Sequence, residues 1–297
     1  LVEGPHLVGG QADLLAELAG MLRAAIEHSG GQAPAAVAAL TASAKISDAH
    51  RAVVASLGEG RGAIVLGGIA MRHTRFADLR AAAAALATLT GATLGYLPDG
   101  GNAAGAALAG ALPHRLPGGR RDPQPGMNVR QMLESPLAAC LLFGGIEPEQ
   151  DFTASDSAKR LASCPQLIAF TPYASASLMQ SAQILLPMGT FAETSGSYVN
   201  VEGRWQEFQG CARPVGEARP GWKILRVLGN LLDLDGYDYE SSAGIHQELR
   251  NLIGDVAYDG RFAGRRAVNA ARGGTTSELA LYQVDSIVRR ATPLQMT

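Results

Sequence analysis

LAACLLFGG, residues 137–145, is an unbroken apolar run stopped by two glycines. A run of this length closed by a turn signal reads as a strand buried on both faces. The same device stands earlier, in AIVLGG (63–68), and there it is followed by a long helical stretch over 74–90. Phe76, Leu79, Ala83, Leu86 and Leu89 fall on the inner face of that helix, and Gly91 stops it. Strand, Gly turn and helix make half of a βαβ unit. Two further runs, QLIAF (166–170) and AQILLP (182–187), are bridged by SASLMQSA as a short helix. Apolar runs alternating with helices predict an α/β fold, with mostly parallel sheets covered on both faces.

Outward from these strands, 13–31 is an amphipathic helix with apolar residues at 14, 15, 18, 21, 22, 25 and 26, ended by Gly30 and Gly31. A second, more polar helical stretch covers 34–57 and ends at GEGRG. The segment 111–128 holds four prolines, four His or Arg residues and three glycines, so it reads as an ordered loop between two lobes. SYVNV and RWQEFQ around Glu202-Gly203 predict a β-hairpin over 197–209. A helix follows over 218–234, with Pro220 near its first turn and Trp222, Leu225, Leu228, Leu231 and Leu232 inward. A further amphipathic stretch covers 243–253, and no element is assigned to GRFAGRRAVNAARGG beyond it. The organisation expected is an α/β lobe over 1–112, a connecting loop over 113–130, a second α/β lobe over 131–240 and a helix with a tail over 241–297.

With 297 residues, 18% of them charged and a formal net charge of -2, the chain gives no electrostatic case for nucleic acid or an anionic membrane. Aromatic residues are scarce, whereas Ala and Gly abound, which suits helices packed closely on sheets. Cys140, Cys164 and Cys211 form no CxxC and lie at no ligand spacing from a His, so they are expected as buried thiols rather than a disulfide framework or metal site. LVEGPHLVGG has no signal-peptide pattern, and the chain is expected to be a fragment of a longer one. The most apolar long window, AAAAALATLTGATLGYL (81–97), reads as a soluble helix and turn rather than a membrane span.

Few motifs carry chemistry. GEGRGA (58–63) precedes a strand instead of following one, so it reads as a helix-to-strand turn and not a dinucleotide fingerprint. Gly67-Gly68 and Gly144-Gly145 end strands, where open α/β sheets bind ligands; a ligand site and a plain sharp turn are both open readings. The six histidines are scattered and point to structural or surface roles. The densest polar stretch is ETSGSYVNVEGRWQEFQG (193–210). Its Glu193 can accept backbone N–H groups, Asn200 can bond backbone on both edges, and Glu202 and Arg204 can pair or reach separate layers. A structural reading explains all four; loss of the Asn200 carboxamide then costs roughly 1–3 kcal/mol if its partners are buried.

The stretch ILLPMGTFAETSGSYVNVEGRWQEFQGCARPVGEARPGWKILRVLGNLL resembles the molybdopterin oxidoreductase superfamily. An apolar strand ending in Leu-Pro (186–187) precedes Glu193, Gly196, Ser197, Asn200, Glu202, Gly203 and Arg204. Gly216-Glu217-Ala218-Arg219-Pro220 and Trp222 complete the pattern. GATLGYLPDGGNAAGA and VDSIVRRATPLQMT are most similar to the large iron–sulfur subunit of bacterial NADH-quinone oxidoreductases (respiratory complex I). The resemblance implies a formate dehydrogenase/DMSO reductase-like fold of Rossmann-like lobes with a hairpin and C-terminal helices. It implies no catalytic, cofactor-binding or metal residue in this segment. Glu193, Gly196, Asn200, Glu202, Gly203, Arg204 and Trp222 are then a structural motif, with Glu193, Asn200 and Arg204 bonded to protein.

Three departures favour that choice. Gly145-Ile146-Glu147-Pro148 stands where catalytic relatives have Gly-x-Asn-Pro, TPYASASLMQSA replaces a Thr-Glu-Thr-Ala run, and Gly101-Asn102-Ala103-Ala104-Gly105 replaces Asn-Asn-x-x-Gly. Glu147 facing a pyrophosphate is repulsive. The implied role is a cofactor-free segment of a subunit that passes electrons from NADH towards quinone. Iron–sulfur clusters are expected in an N-terminal part of the parent chain, and other subunits of the peripheral arm as partners, on the cytoplasmic side of the bacterial inner membrane. Two alternatives are an active molybdopterin guanine dinucleotide oxidoreductase domain and a nucleotide-binding regulatory module.

Overall fold

The computed structural model describes residues 4–58, 62–152, 156–256, 268, 273–276 and 281–296. They form two compact units, Leu1–Asp99 with Tyr258–Leu279, and Gly100–Ala257 with Ala280–Thr297.

In the first unit, α1 (Leu14–Ser29) is an amphipathic helix ended by Gly30 in the left-handed region. The expected single helix over 34–57 is broken. A 3-10 turn (Ala35–Val37) leads into α2 (Ala38–Ala42), and α3 (Asp48–Gly58) starts afresh. The break falls at Ser47, whose hydroxyl accepts the His50 N–H at 3.3 Å, a cap that helix-interior residues do not need. His50 is buried and its Nε2 lies 3.0 Å from Glu17 Oε2 on α1. Gly20 makes room for that ring: a Cβ there would stand 2.5 Å from Nε2. Residues 59–61 of GEGRGA lie outside the described residues.

Strand β1 (Ala63–Leu66) runs into α4 (Gly68–Met71) and α5 (Phe76–Thr90), after which β2 (Thr93–Tyr96) pairs parallel to β1, Ala63 against Thr93. A helix and turn over 81–97 therefore leaves out β2. Helix α5 buries Ala81–Ala87 almost entirely, and these small side chains let α1 and the β1–β2 pair approach it from different sides. Leu15, Leu22, Val37, Leu40, Leu79 and Leu86 form the core, with Val268 returning to it.

The second unit holds the parallel sheet β3 (Cys140–Phe143), β4 (Leu167–Thr171) and β5 (Ile184–Pro187), in that order. Helices α6 (Ala103–Leu108), α7 (Val129–Glu134), α8 (Ser157–Ala162) and α9 (Ala176–Ser181) accompany it. Helix α7, not expected from the sequence, begins inside 113–130 with Asn128 and Gln131 exchanging side chain-to-backbone bonds. Ser175 caps the start of α9, its hydroxyl accepting the Leu178 N–H. The antiparallel hairpin β6 (Gly196–Val199) and β7 (Trp205–Phe208) follows, then α10 (Gly221–Leu231), α11 (Ser242–Ile253) and α12 (Thr292–Gln295). The mixed α/β architecture with mostly parallel sheets agrees with the expectation, but cover on both faces does not: Leu141 and Phe143 of β3 and Ile184 and Leu186 of β5 are exposed, and only the middle strand β4 is buried almost throughout. Nor does the inward face drawn for α10: Leu231 is 76% exposed and Leu232 60%, and Leu225 is exposed as well. No helix among the described residues is long and apolar enough to cross a membrane.

Candidate functional site

An open parallel sheet offers its ligand edge where the strands end. At the end of β3 the chain turns through Gly144 and Gly145 at φ of +98° and +79°, a region that side chains disfavour. Both amides donate to Phe170 O, at 3.2 and 3.1 Å. A Cβ on Gly145 would stand 3.0 Å from Pro172 Cδ, so the turn is packed tightly over β4. Gly67 and Gly68 show no such demand: Gly67 is extended, and Gly68 opens α4.

The turn delivers Glu147, which is buried. An unpaired carboxylate there would be costly, and two cations from far along the chain supply the charge. Arg289 Nη1 lies 2.9 Å from Glu147 Oε2, and Arg290 Nη2 bonds Glu147 Oε1. Arg289 also forks onto Asp151, with Nη2 2.6 Å from Oδ1, while Asp151 Oδ2 accepts the Glu147 N–H at 2.7 Å. Burial works against the charge on Arg289, but hydrogen bonds to Asp151 and Glu147 outweigh it, and its pKa is raised. Sequence alone marks Glu147 as repulsive to phosphate and assigns no role to Arg289, Arg290 or Asp151. The usable signal is that a buried acid demands a cation, and VRR offers two.

The motif over 193–204 is bonded largely to itself. Glu193 Oε2 accepts from Thr190 N–H at 2.7 Å and from its hydroxyl at 3.0 Å, closing a capping box on a 3-10 turn. Asn200 Oδ1 accepts from Glu202 N–H at 3.0 Å and Arg204 N–H at 2.9 Å, while its Nδ2 donates to Glu202 Oε2 at 3.4 Å. Gly203 takes the left-handed conformation that this hairpin turn needs. Gly196 lies under the Phe208 ring, 3.2 Å from where a Cβ would be. Arg204 bonds protein through its backbone alone, to Asn200; its exposed guanidinium has no hydrogen bond or ion pair among the described residues. Trp222, half-buried on α10, faces a hollow shared with Phe143, Gly144 and Ser286. Asn102, read as a remnant of a richer Asn motif, accepts the Val199 N–H at 2.9 Å and so ties α6 to the hairpin. The three cysteines are free, and only Cys164 is buried; Cys140 is half-buried and Cys211 exposed, contrary to expectation. Burial, helped by the nearby Cys164 thiol, pushes the Cys140 thiol up.

The mixed α/β architecture with mostly parallel sheets is consistent with a molybdopterin oxidoreductase fold. The molybdopterin oxidoreductase family description matches residues 9–231, and the chain belongs to that family. It is 29% identical over 184 residues to a nitrate reductase of Synechocystis, a match covering 53% of this chain and 26% of that protein. It is 30% identical over 174 residues to the G subunit of NADH-quinone oxidoreductase from Mycobacterium bovis, covering 51% of this chain and 21% of the relative. Over 52 residues it is 44% identical to the 78 kDa mitochondrial subunit of NADH-ubiquinone oxidoreductase from Candida albicans, covering 18% and 7%. The chain thus spans about a quarter or less of the length of these relatives.

Proposed function

We propose that the chain is a cofactor-free structural segment of a large iron–sulfur subunit of an NADH-quinone oxidoreductase. The observation that carries this reading is the buried Glu147 at the end of β3, committed to Arg289 and Arg290. The groups at this edge do not fit an anionic dinucleotide. A phosphate there would meet a carboxylate, and both nearby guanidinium groups already bond that carboxylate. The family motif supports the same reading, because Glu193 and Asn200 spend their acceptors on neighbouring backbone. Electron transfer from NADH to quinone would then run through iron–sulfur clusters in another part of the parent chain. This segment would buttress them among the other peripheral-arm subunits, on the cytoplasmic side of the bacterial inner membrane.

Similarity to a nitrate reductase at comparable identity favours a second reading, an active molybdopterin domain. Metal analysis of the full-length native protein, with fluorescence of an oxidised pterin extract, separates the two. Iron without molybdenum, tungsten or pterin is expected. Stoichiometric molybdenum or tungsten overturns the structural reading.

A further inference from the structure

We infer that residues 285–290 form a strap, built from this chain, that occupies the crevice at the carboxyl ends of β3, β4 and β5 and holds the place an exchangeable ligand would need. The inference rests on the cofactor-free reading and says what fills the edge instead.

The strap bonds the segment after β3, stacks on the segment after β4, and lines hollows with the end of β5. At β3, Arg289 is the anchor. A guanidinium has five N–H donors. Here Nε donates to Gln283 O at 3.2 Å, Nη1 to Glu147 and to Asp151 Oδ2 at 3.3 Å, and Nη2 to Asp151 Oδ1 and Gln283 O at 2.6 and 2.7 Å. Each donor has an acceptor, so the side chain is spent on this one arrangement. At β4, the Arg290 guanidinium lies 4.2 Å from the centre of the Tyr173 ring while it bonds Glu147. Towards β5, Ile287 lines two remaining hollows together with Pro172, Met188 and Thr190. One hollow of about 410 Å³ also includes Tyr173 and Pro187, and the other, of about 470 Å³, includes Gly144 and Trp222.

The strap is also shaped before it docks. Asp285 Oδ1 accepts from Ile287 and Val288 N–H at 2.8 and 3.0 Å, which fixes the 3-10 turn Val288–Arg290. Gln295 Nε2 donates to Val288 O and Tyr282 O at 3.0 and 3.1 Å, bracing that turn from α12. A tail lying loosely on a surface would not bury Arg289 to a side-chain exposure of 4%. Preorganisation and complete donor satisfaction are properties of a fitted ligand, here supplied in cis.

Hydrogen exchange of the full chain, read by mass spectrometry, tests this. In the native chain, peptides covering 144–151 and 285–290 should both be protected. In the Arg289→Ala, Arg290→Ala double variant both should exchange at least about tenfold faster, with the β4 peptide 167–171 unchanged. Arg289→Lys, which keeps the charge but loses the fork, should give a smaller acceleration in the same two peptides. Should the double variant lose β4 protection, it has unfolded, and Arg289→Lys decides: faster exchange in both peptides with β4 still protected supports the strap, and an unchanged pattern overturns it. Unprotected 285–290 in the native chain overturns the strap, as does acceleration of 285–290 in a folded variant without any change at 144–151. Molybdenum in the native protein would overturn the cofactor-free reading independently, and leaves the exchange result to stand or fall by itself.

Discussion

At the scale of residues, the second unit settles polar groups by two routes. Asn200 and Glu193 bond backbone within a few positions of themselves, whereas Glu147 is matched by arginines more than a hundred residues away. The costs of losing them differ accordingly. The amides that Asn200 serves are at exposed positions, where water can replace the carboxamide. Asn200→Ala should therefore lower stability by about 0.5–1.5 kcal/mol, at or below the bottom of the range expected for buried partners, as measured by urea unfolding. A loss beyond about 3 kcal/mol would show that the carboxamide holds more than its own turn.

Among the elements, α10 is the one whose surroundings differ most from its pattern. Its apolar residues recur with helical period, yet Leu225, Val227, Leu231 and Leu232 stand exposed. The double change Leu231→Gln, Leu232→Gln should alter the unfolding free energy of the chain by no more than about 0.5 kcal/mol. A drop of about 2 kcal/mol or more, on the scale of about 2–5 for a large-to-small core change, would place that face inside the fold. Periodicity reports which face is apolar, and only the rest of the protein decides whether it is covered. The same limit explains which elements were legible. β1, β3, β4 and β5 are apolar runs with Gly or Pro stops, and the hairpin carries Glu-Gly at its turn. β2 was hidden because Thr93–Tyr96 is short, half-polar and follows an Ala-rich helix without an apolar run of its own. The break before α3 was hidden because it depends on Ser47 meeting His50, a local bond that leaves apolar spacing undisturbed.

For the whole molecule, both compact units are closed by residues that return from late in the sequence. In the first, Val268 is buried among α1, α2 and α5 residues, and its N–H donates to Ala36 O at 2.8 Å. Val268→Ala should cost about 1–3 kcal/mol in thermal or denaturant unfolding, as a core truncation does. An unchanged midpoint would mean that the first unit is complete without it. The candidate site follows the same logic and was half legible. Glu147 stands out by its clash with an expected phosphate, but a pairing across the chain leaves no periodic trace, so VDSIVRRATPLQMT carries a resemblance without showing what Arg289 and Arg290 bind.

That separation has a consequence for how the protein is made. Glu147 and Arg289 are 142 positions apart. At a synthesis rate of about 5–20 residues per second, the acid waits roughly 7–30 s for its cation to leave the ribosome. Throughout that interval the nascent second lobe can pair β3, β4 and β5, but its Glu147 loop must stay hydrated, because a lone carboxylate is too costly to bury. The ion pairs that license this loop's final desolvation therefore form only after the sheet beneath it can, so edge closure follows sheet pairing.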